Sequence, residues 1–103
     1  MGSSRSFGIE FAKGISEFAR STTEAMRTLT NVPNQNFERY TVAAENAQAD
    51  LEQSIATGDP DALTLSTLTL LDSMRTMVKA SGVEAKAGRA LDTQFRGLRD
   101  MVQ

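Results

Sequence analysis

Cysteine, histidine and tryptophan are all absent from this 103-residue sequence. The chain therefore has no disulfide, no thiolate or imidazole metal ligand, no cysteine nucleophile and no Ser-His-Asp triad of its own. Phosphate-binding loops are missing as well, because no Gly-Lys-Ser or Gly-Lys-Thr triplet occurs. We expect no catalytic residues, no metal, no cofactor and no small-molecule substrate, so an enzyme is the least supported class.

Long apolar runs and an excess of basic residues are lacking too. The most apolar stretch, residues 63–78, is interrupted by threonine, serine, aspartate and arginine, whereas a membrane-spanning helix needs roughly 20 apolar residues. Glu10 and Glu17 interrupt the N-terminal segment, so we expect no Sec-type signal peptide. With 11 basic and 13 acidic residues the net charge is -2, and we expect neither nucleic-acid binding nor a membrane span.

The sequence does contain enough apolar surface for a folded chain. Hydrophobic residues make up 40% and charged residues 23%, with only 2 prolines, which is too apolar a composition for a fully disordered protein. No internal repeat or clear interdomain linker is present. We expect one all-α domain over residues 1–103.

Apolar spacing predicts two amphipathic helices in the first half of the chain. The first covers about residues 7–30 and ends before Pro33, and the second covers about residues 36–57. The first helix carries a dense apolar stripe that begins with Phe7, Phe11, Ile15 and Phe18. We expect this stripe to pack in a core or an oligomer; docking to a partner is the next alternative, and binding to a membrane surface the least favoured.

Three agreeing turn signals follow the second helix. Gly58 suits a helix C-terminus, Asp59 an N-cap, and Pro60 the first position of a new helix. Capping also explains Asp59 and Asp61 better than acid–base catalysis or metal binding does, because acidic residues are favoured in a first helical turn. The signals predict a helical hairpin over residues 36–103.

The helix after this turn is expected to be the most apolar of the chain. Residues 62–71 partly alternate like a strand, but the capped start and the helical spacing of the apolar residues favour a helix. Its leucines spread over more than one face and need cover, which favours self-association. These leucines are Leu65, Leu68, Leu70 and Leu71.

The sequence Ser81-Gly82-Val83-Glu84 has the form of a capping box, and Gly82 is unfavourable inside a helix. The segment therefore predicts a kink or a restart at residues 81–82. A last amphipathic helix follows over about residues 83–101. Its face is rich in alanine and glycine, which indicates either a weak, flexible helix or a close helix–helix contact in an oligomer.

Charge is distributed unevenly along the chain. Residues 36–61 hold six acidic residues and one basic residue, whereas residues 75–103 hold six basic and three acidic residues. Folding into a hairpin, or stacking of identical subunits, would bring these opposite charges together. The simpler interpretation, which we favour, is that both are ordinary solvated faces.

Four elements follow one another in residues 51–103. They are a helix ending in Leu51-Glu52-Gln53-Ser54-Ile55, the break Gly58-Asp59-Pro60-Asp61-Ala62-Leu63, a Leu/Met-rich helix to Met77, and the final Leu98-Arg99-Asp100-Met101-Val102-Gln103. In this order they resemble the needle and inner-rod subunits of bacterial type III secretion machines. The resemblance implies a subunit that is exported to the cell envelope without a cleavable signal and polymerises through its C-terminal helix around a secretion channel.

Our first hypothesis is accordingly a non-enzymatic structural subunit of a bacterial secretion assembly, formed by an oligomeric helical hairpin with an additional N-terminal amphipathic helix. The alternative is a small cytoplasmic, dimeric helical binding protein that sequesters a protein partner, such as an anti-activator or adaptor. A helical protein that coats granules or membranes fits the composition without a specific motif. The expected interface residues are Phe7, Phe11, Ile15, Phe18, Leu63, Leu68, Leu71, Met74, Leu91, Phe95 and Leu98.

Overall fold

A computed structural model describes residues 8–29, 35–82 and 85–102. Within these ranges the chain forms four α-helices and no strand: α1 (Ile9–Leu29), α2 (Gln35–Thr57), α3 (Pro60–Ala80) and α4 (Ala85–Val102). The all-α prediction is confirmed, and the partly alternating segment at residues 62–71 is helical. Phe7, the first residue of the predicted stripe, and the break around Pro33 lie outside the described residues.

The turn between α2 and α3 is built by the residues that predicted it. Gly58 adopts a φ of 75°, a left-handed conformation that favours glycine, and its N–H donates to the carbonyl of Ser54 at 2.9 Å. Asp59 is the N-cap of α3, and its carboxylate accepts the N–H of Asp61 at 3.2 Å. Pro60 begins the helix, so each terminus is closed by a local interaction.

Val83 and Glu84 of the predicted capping box lie outside the described residues, and Ser81 ends α3. Its hydroxyl donates to the carbonyl of Val78 at 2.7 Å, and its own N–H donates to the carbonyl of Met77 at 3.0 Å. Gly82 then takes a φ of 76°, which stops the helix. The expected kink or restart is thus a break between two separate helices, the second of which begins at Ala85.

Helix α3 lies at the centre of the fold and packs against each of the other three helices, whereas the backbone of α4 comes close to that of α3 alone. The four packed helices of the single chain form an elongated body, with principal extents of 49 × 25 × 16 Å. The largest side chains that are almost fully buried come from α2, α3 and α4, and they are Leu51, Leu70, Leu71, Met74, Met77 and Phe95.

The chain covers most of its α3 leucines without a second copy. Leu70 and Leu71 are buried in its own core, and Leu68 is half-buried. Only Leu65, of the four expected to need cover, is left strongly exposed, at 67% of its surface. These leucines therefore do not require self-association, contrary to the expectation from the sequence, because α1, α2 and α4 together surround α3.

The acidic second helix pairs with α1 instead of with the basic C-terminal segment. Arg20 contacts Glu52 at 2.9 Å, and Arg27 contacts Glu45 at 3.1 Å and Glu38 at 3.4 Å. The basic residues of α4 bind aspartates on α3 and on α4 itself. Within the described residues no ion pair joins residues 36–61 to residues 75–102, although the part of α3 that carries Arg75 and Lys79 belongs to a helix that packs directly on α2.

Candidate interaction surfaces

An open apolar groove of about 570 Å³ runs between α1 and α4. Across the described residues, no Cα of α1 lies within 8 Å of a Cα of α4, so the two backbones do not pack directly against each other. Large side chains bridge the gap instead: the rings of Phe18 and Phe95 lie 5.5 Å apart, tilted by 57°. Phe18 also lines the open groove.

Two glycines keep the groove from filling. Gly14 on α1 and Gly97 on α4 both line it, and a Cβ added at either position would have no heavy atom within 4 Å. Phe11 and Leu98 supply half-buried apolar walls, and Met101 is 50% exposed. The groove is therefore an apolar surface with room for a side chain or a helix ridge from another molecule.

The predicted interface residues fall into two groups in the isolated chain. Five of the predicted set are buried in its own core, namely Ile15, Leu63, Leu71, Met74 and Phe95. Five more are half-buried, and these are Phe11, Phe18, Leu68, Leu91 and Leu98. The fold brings Phe11, Ile15, Phe18 and Leu98 together at the α1–α4 groove. Contact of these residues with another subunit stays a prediction.

The sequence did not predict the residues that leave space in the α1–α4 groove or form its polar edge. Gly14, Gly97 and Met101 were not singled out, and neither was the polar pair Thr93 and Gln94 on its edge. The available signal was a glycine in the interior of each of two strongly amphipathic helices, where alanine is the better helix former.

A second groove, of about 300 Å³, lies between α3 and α4 and carries mostly positive charge. We call it the basic groove, and it is lined by Arg75, Val78, Lys79, Gly88, Arg89, Asp92 and Phe95. Asp92 accepts a hydrogen bond from Nε of Arg75 at 2.7 Å, and its other oxygen lies 3.3 Å from Nε of Arg96. Two arginines thus neutralise the one carboxylate of the basic groove.

The hydrogen bond from Arg75 lowers the pKa of the Asp92 carboxyl below its ordinary value of 3.8, outweighing the raising effect of burial. The positive charges of Arg75, Arg96 and Lys79 act in the same direction as the hydrogen bond. Because both partners of the Arg75–Asp92 pair are only 24% exposed, this ion pair is less screened by solvent than the pairs on the surface.

Replacing Asp92 with asparagine is expected to lower the free energy of unfolding by about 1–2 kcal/mol at neutral pH, because Arg75 and Arg96 lose their carboxylate. The folded-state pKa lies below the unfolded value, so this contribution is present above about pH 4 and is lost as pH falls through the folded pKa. Urea unfolding of the wild type and of Asp92→Asn, from neutral to strongly acidic pH, measures this contribution to the free energy of unfolding. Stability curves that converge in acid are expected, and a constant gap would contradict the ion-pair explanation.

The described residues contain no group of three or more acidic residues arranged to hold a metal ion. Asp59 serves as a helix cap, as the sequence predicted. None of the described helices is both long and apolar enough to cross a membrane.

Comparisons with known proteins add no family. No family model matches the chain, and no curated protein or solved structure is detectably similar to it. The interaction surfaces above therefore have to be interpreted from their own geometry and charge.

Proposed function

We propose that this chain is a non-enzymatic structural subunit that self-associates through apolar helix faces. The observation that supports this most directly is the α1–α4 groove, where Phe11 and Leu98 flank space left free by Gly14 and Gly97. A helix from another copy that entered this groove would remove apolar surface from water, at roughly 25 cal/mol per Å² of area buried.

A bacterial protein-secretion assembly is the setting that we propose for this self-association. The proposal rests on the resemblance of residues 51–103 to needle and inner-rod subunits. In that setting the subunit is exported to the cell envelope without a cleavable signal, and its polymerisation is its mechanism. This proposal assigns no catalytic role to any residue of the chain.

A second function, a cytoplasmic helical adaptor that sequesters a protein partner, is favoured by a different observation. The chain buries Leu70, Leu71 and Met74 with its own helices, so its core does not require another copy. The same α1–α4 groove would then accept an amphipathic helix of the partner. The two functions differ in whether the occupant is identical to the chain.

Solution mass, measured by light scattering after size-exclusion chromatography over a wide range of concentrations, tests the proposal. We expect the mass of the wild-type chain to rise with concentration and filaments to appear in the largest fraction. Replacing Gly97 with glutamine should reduce the mass, because its Cβ meets no heavy atom within 4 Å, the longer side chain takes up space at the groove, and glutamine favours the helix. Ala43→Gln, on the exposed face of α2, is the matched control and should behave as wild type.

A fixed small oligomer that is insensitive to Gly97→Gln would contradict polymerisation through this groove. A constant mass together with binding of a specific protein, lost in Gly97→Gln and retained in Ala43→Gln, would establish the adaptor instead.

A further inference from the structure

We propose that the acidic turn between α2 and α3 of one copy docks into the basic groove of a second copy. The acidic turn is defined here as residues 58–61. This inference rests on the proposed self-association and specifies a head-to-tail contact for it. Its chemistry is charge complementarity between two surfaces of the same chain.

The basic groove has positive charge left over after its internal pairing. Asp92 is already bound by Arg75 and Arg96. Lys79 and Arg89 line the same groove, and neither forms an ion pair within the described part of the chain. Both side chains are exposed, and Gly88 beside them adds no side chain, so an acidic group from another molecule has access to them.

The acidic turn carries exposed negative charge. All of its residues are exposed, and neither Asp59 nor Asp61 makes an ion pair within the described ranges. One carboxylate oxygen of Asp59 is used by the N-cap hydrogen bond, which holds the turn in a fixed shape. A rigid segment with two carboxylates loses little conformational freedom when it binds two cations.

The two surfaces are unable to meet within one molecule. Pro60 begins α3 and Lys79 is near its end, so they are separated by about 28 Å along the helix axis. Contact between them therefore requires a second copy. In a head-to-tail pair only one such contact forms, so a free turn remains at one end of the dimer and a free groove at the other. Repetition of the contact produces an open filament or a closed ring.

Charge reversal at one residue of each surface tests this contact. Arg89→Glu should weaken self-association at low ionic strength about tenfold, since the introduced carboxylate would face the acidic turn of the neighbouring copy. Arg39→Glu is the matched control, because Arg39 and Arg89 are both exposed and each is the fifth residue of its helix. Asp61→Lys should weaken association as Arg89→Glu does, and it leaves the Asp59 cap in place.

Mixing the two reversed variants provides the decisive measurement. An equimolar mixture of Arg89→Glu and Asp61→Lys should associate like the wild-type chain, because each docking contact then again joins opposite charges. Recovery in the mixture, with Arg39→Glu unchanged, supports the head-to-tail contact. Equal effects of Arg89→Glu and Arg39→Glu, or no recovery in the mixture, would overturn it.

The failure of this contact is distinguishable from failure of the proposed function. If the charge variants associate normally while Gly97→Gln does not, the α1–α4 groove mediates self-association and the basic groove does not. If the wild-type chain stays monomeric at every concentration and ionic strength, both the contact and the proposed self-association are wrong.

Discussion

Replacing Leu71 with aspartate should unfold most of the protein. The side chain is 1% exposed at the centre of α3, so the carboxylate would be buried without a partner. Such a substitution costs more than about 4 kcal/mol, a large part of the total stability of a chain this short. Circular dichroism during urea unfolding measures the loss, and we expect little helical signal even before urea is added.

Leu65→Asp is the matched control for this prediction. It introduces the same side chain into the same helix at a position that is 67% exposed, so the carboxylate stays hydrated. We expect its free energy of unfolding to change by less than about 1 kcal/mol. Similar losses in the two variants would show that α3 is not buried on the side assigned to Leu71.

The second large effect is expected from Phe95→Ala. Phe95 is fully buried and is the aromatic anchor that holds α4 against α3 and reaches Phe18 on α1. Truncation removes its buried ring and leaves a cavity, which lowers the free energy of unfolding by about 3–5 kcal/mol. Chemical denaturation provides the measurement, and Phe95→Leu should recover part of the loss because it refills some of the cavity.

A double-mutant cycle separates the ring contact from simple burial. Combining Phe95→Ala with Phe18→Ala should reveal a coupling free energy of about 0.5–1.5 kcal/mol, because the two rings touch at a centroid distance of 5.5 Å. Purely additive losses would mean that the two aromatic residues stabilise the fold independently of each other.

Local sequence signals predicted the helices and the turn at residues 58–61 well. The expected helix at residues 36–57 differs from α2 by one residue at its start, and Gly58, Asp59 and Pro60 take the expected positions. These features depend on backbone conformation and on hydrogen bonds within one helical turn, so neighbouring residues suffice to specify them.

Ser81 shows where such local reasoning becomes ambiguous. A serine followed by glycine and glutamate suits the start of one helix, but a serine also closes the end of the preceding one. In the structure the hydroxyl of Ser81 donates to the carbonyl of Val78, within the last turn of α3. The residue types alone do not decide between these two local patterns.

The candidate surfaces could be predicted only in part. The apolar stripes identified Phe11, Phe18 and Leu98 correctly as residues on packed faces, but neither the gap between α1 and α4 nor the pairing of Arg27 with Glu45 follows from periodicity. Periodicity specifies which side of a helix is apolar, but it does not specify which other helix that side packs against. Helix identity and the turn at residues 58–61 thus follow from the order of residues in this chain, whereas the grooves and charge pairs arise when the four helices pack, because they join residues far apart in sequence.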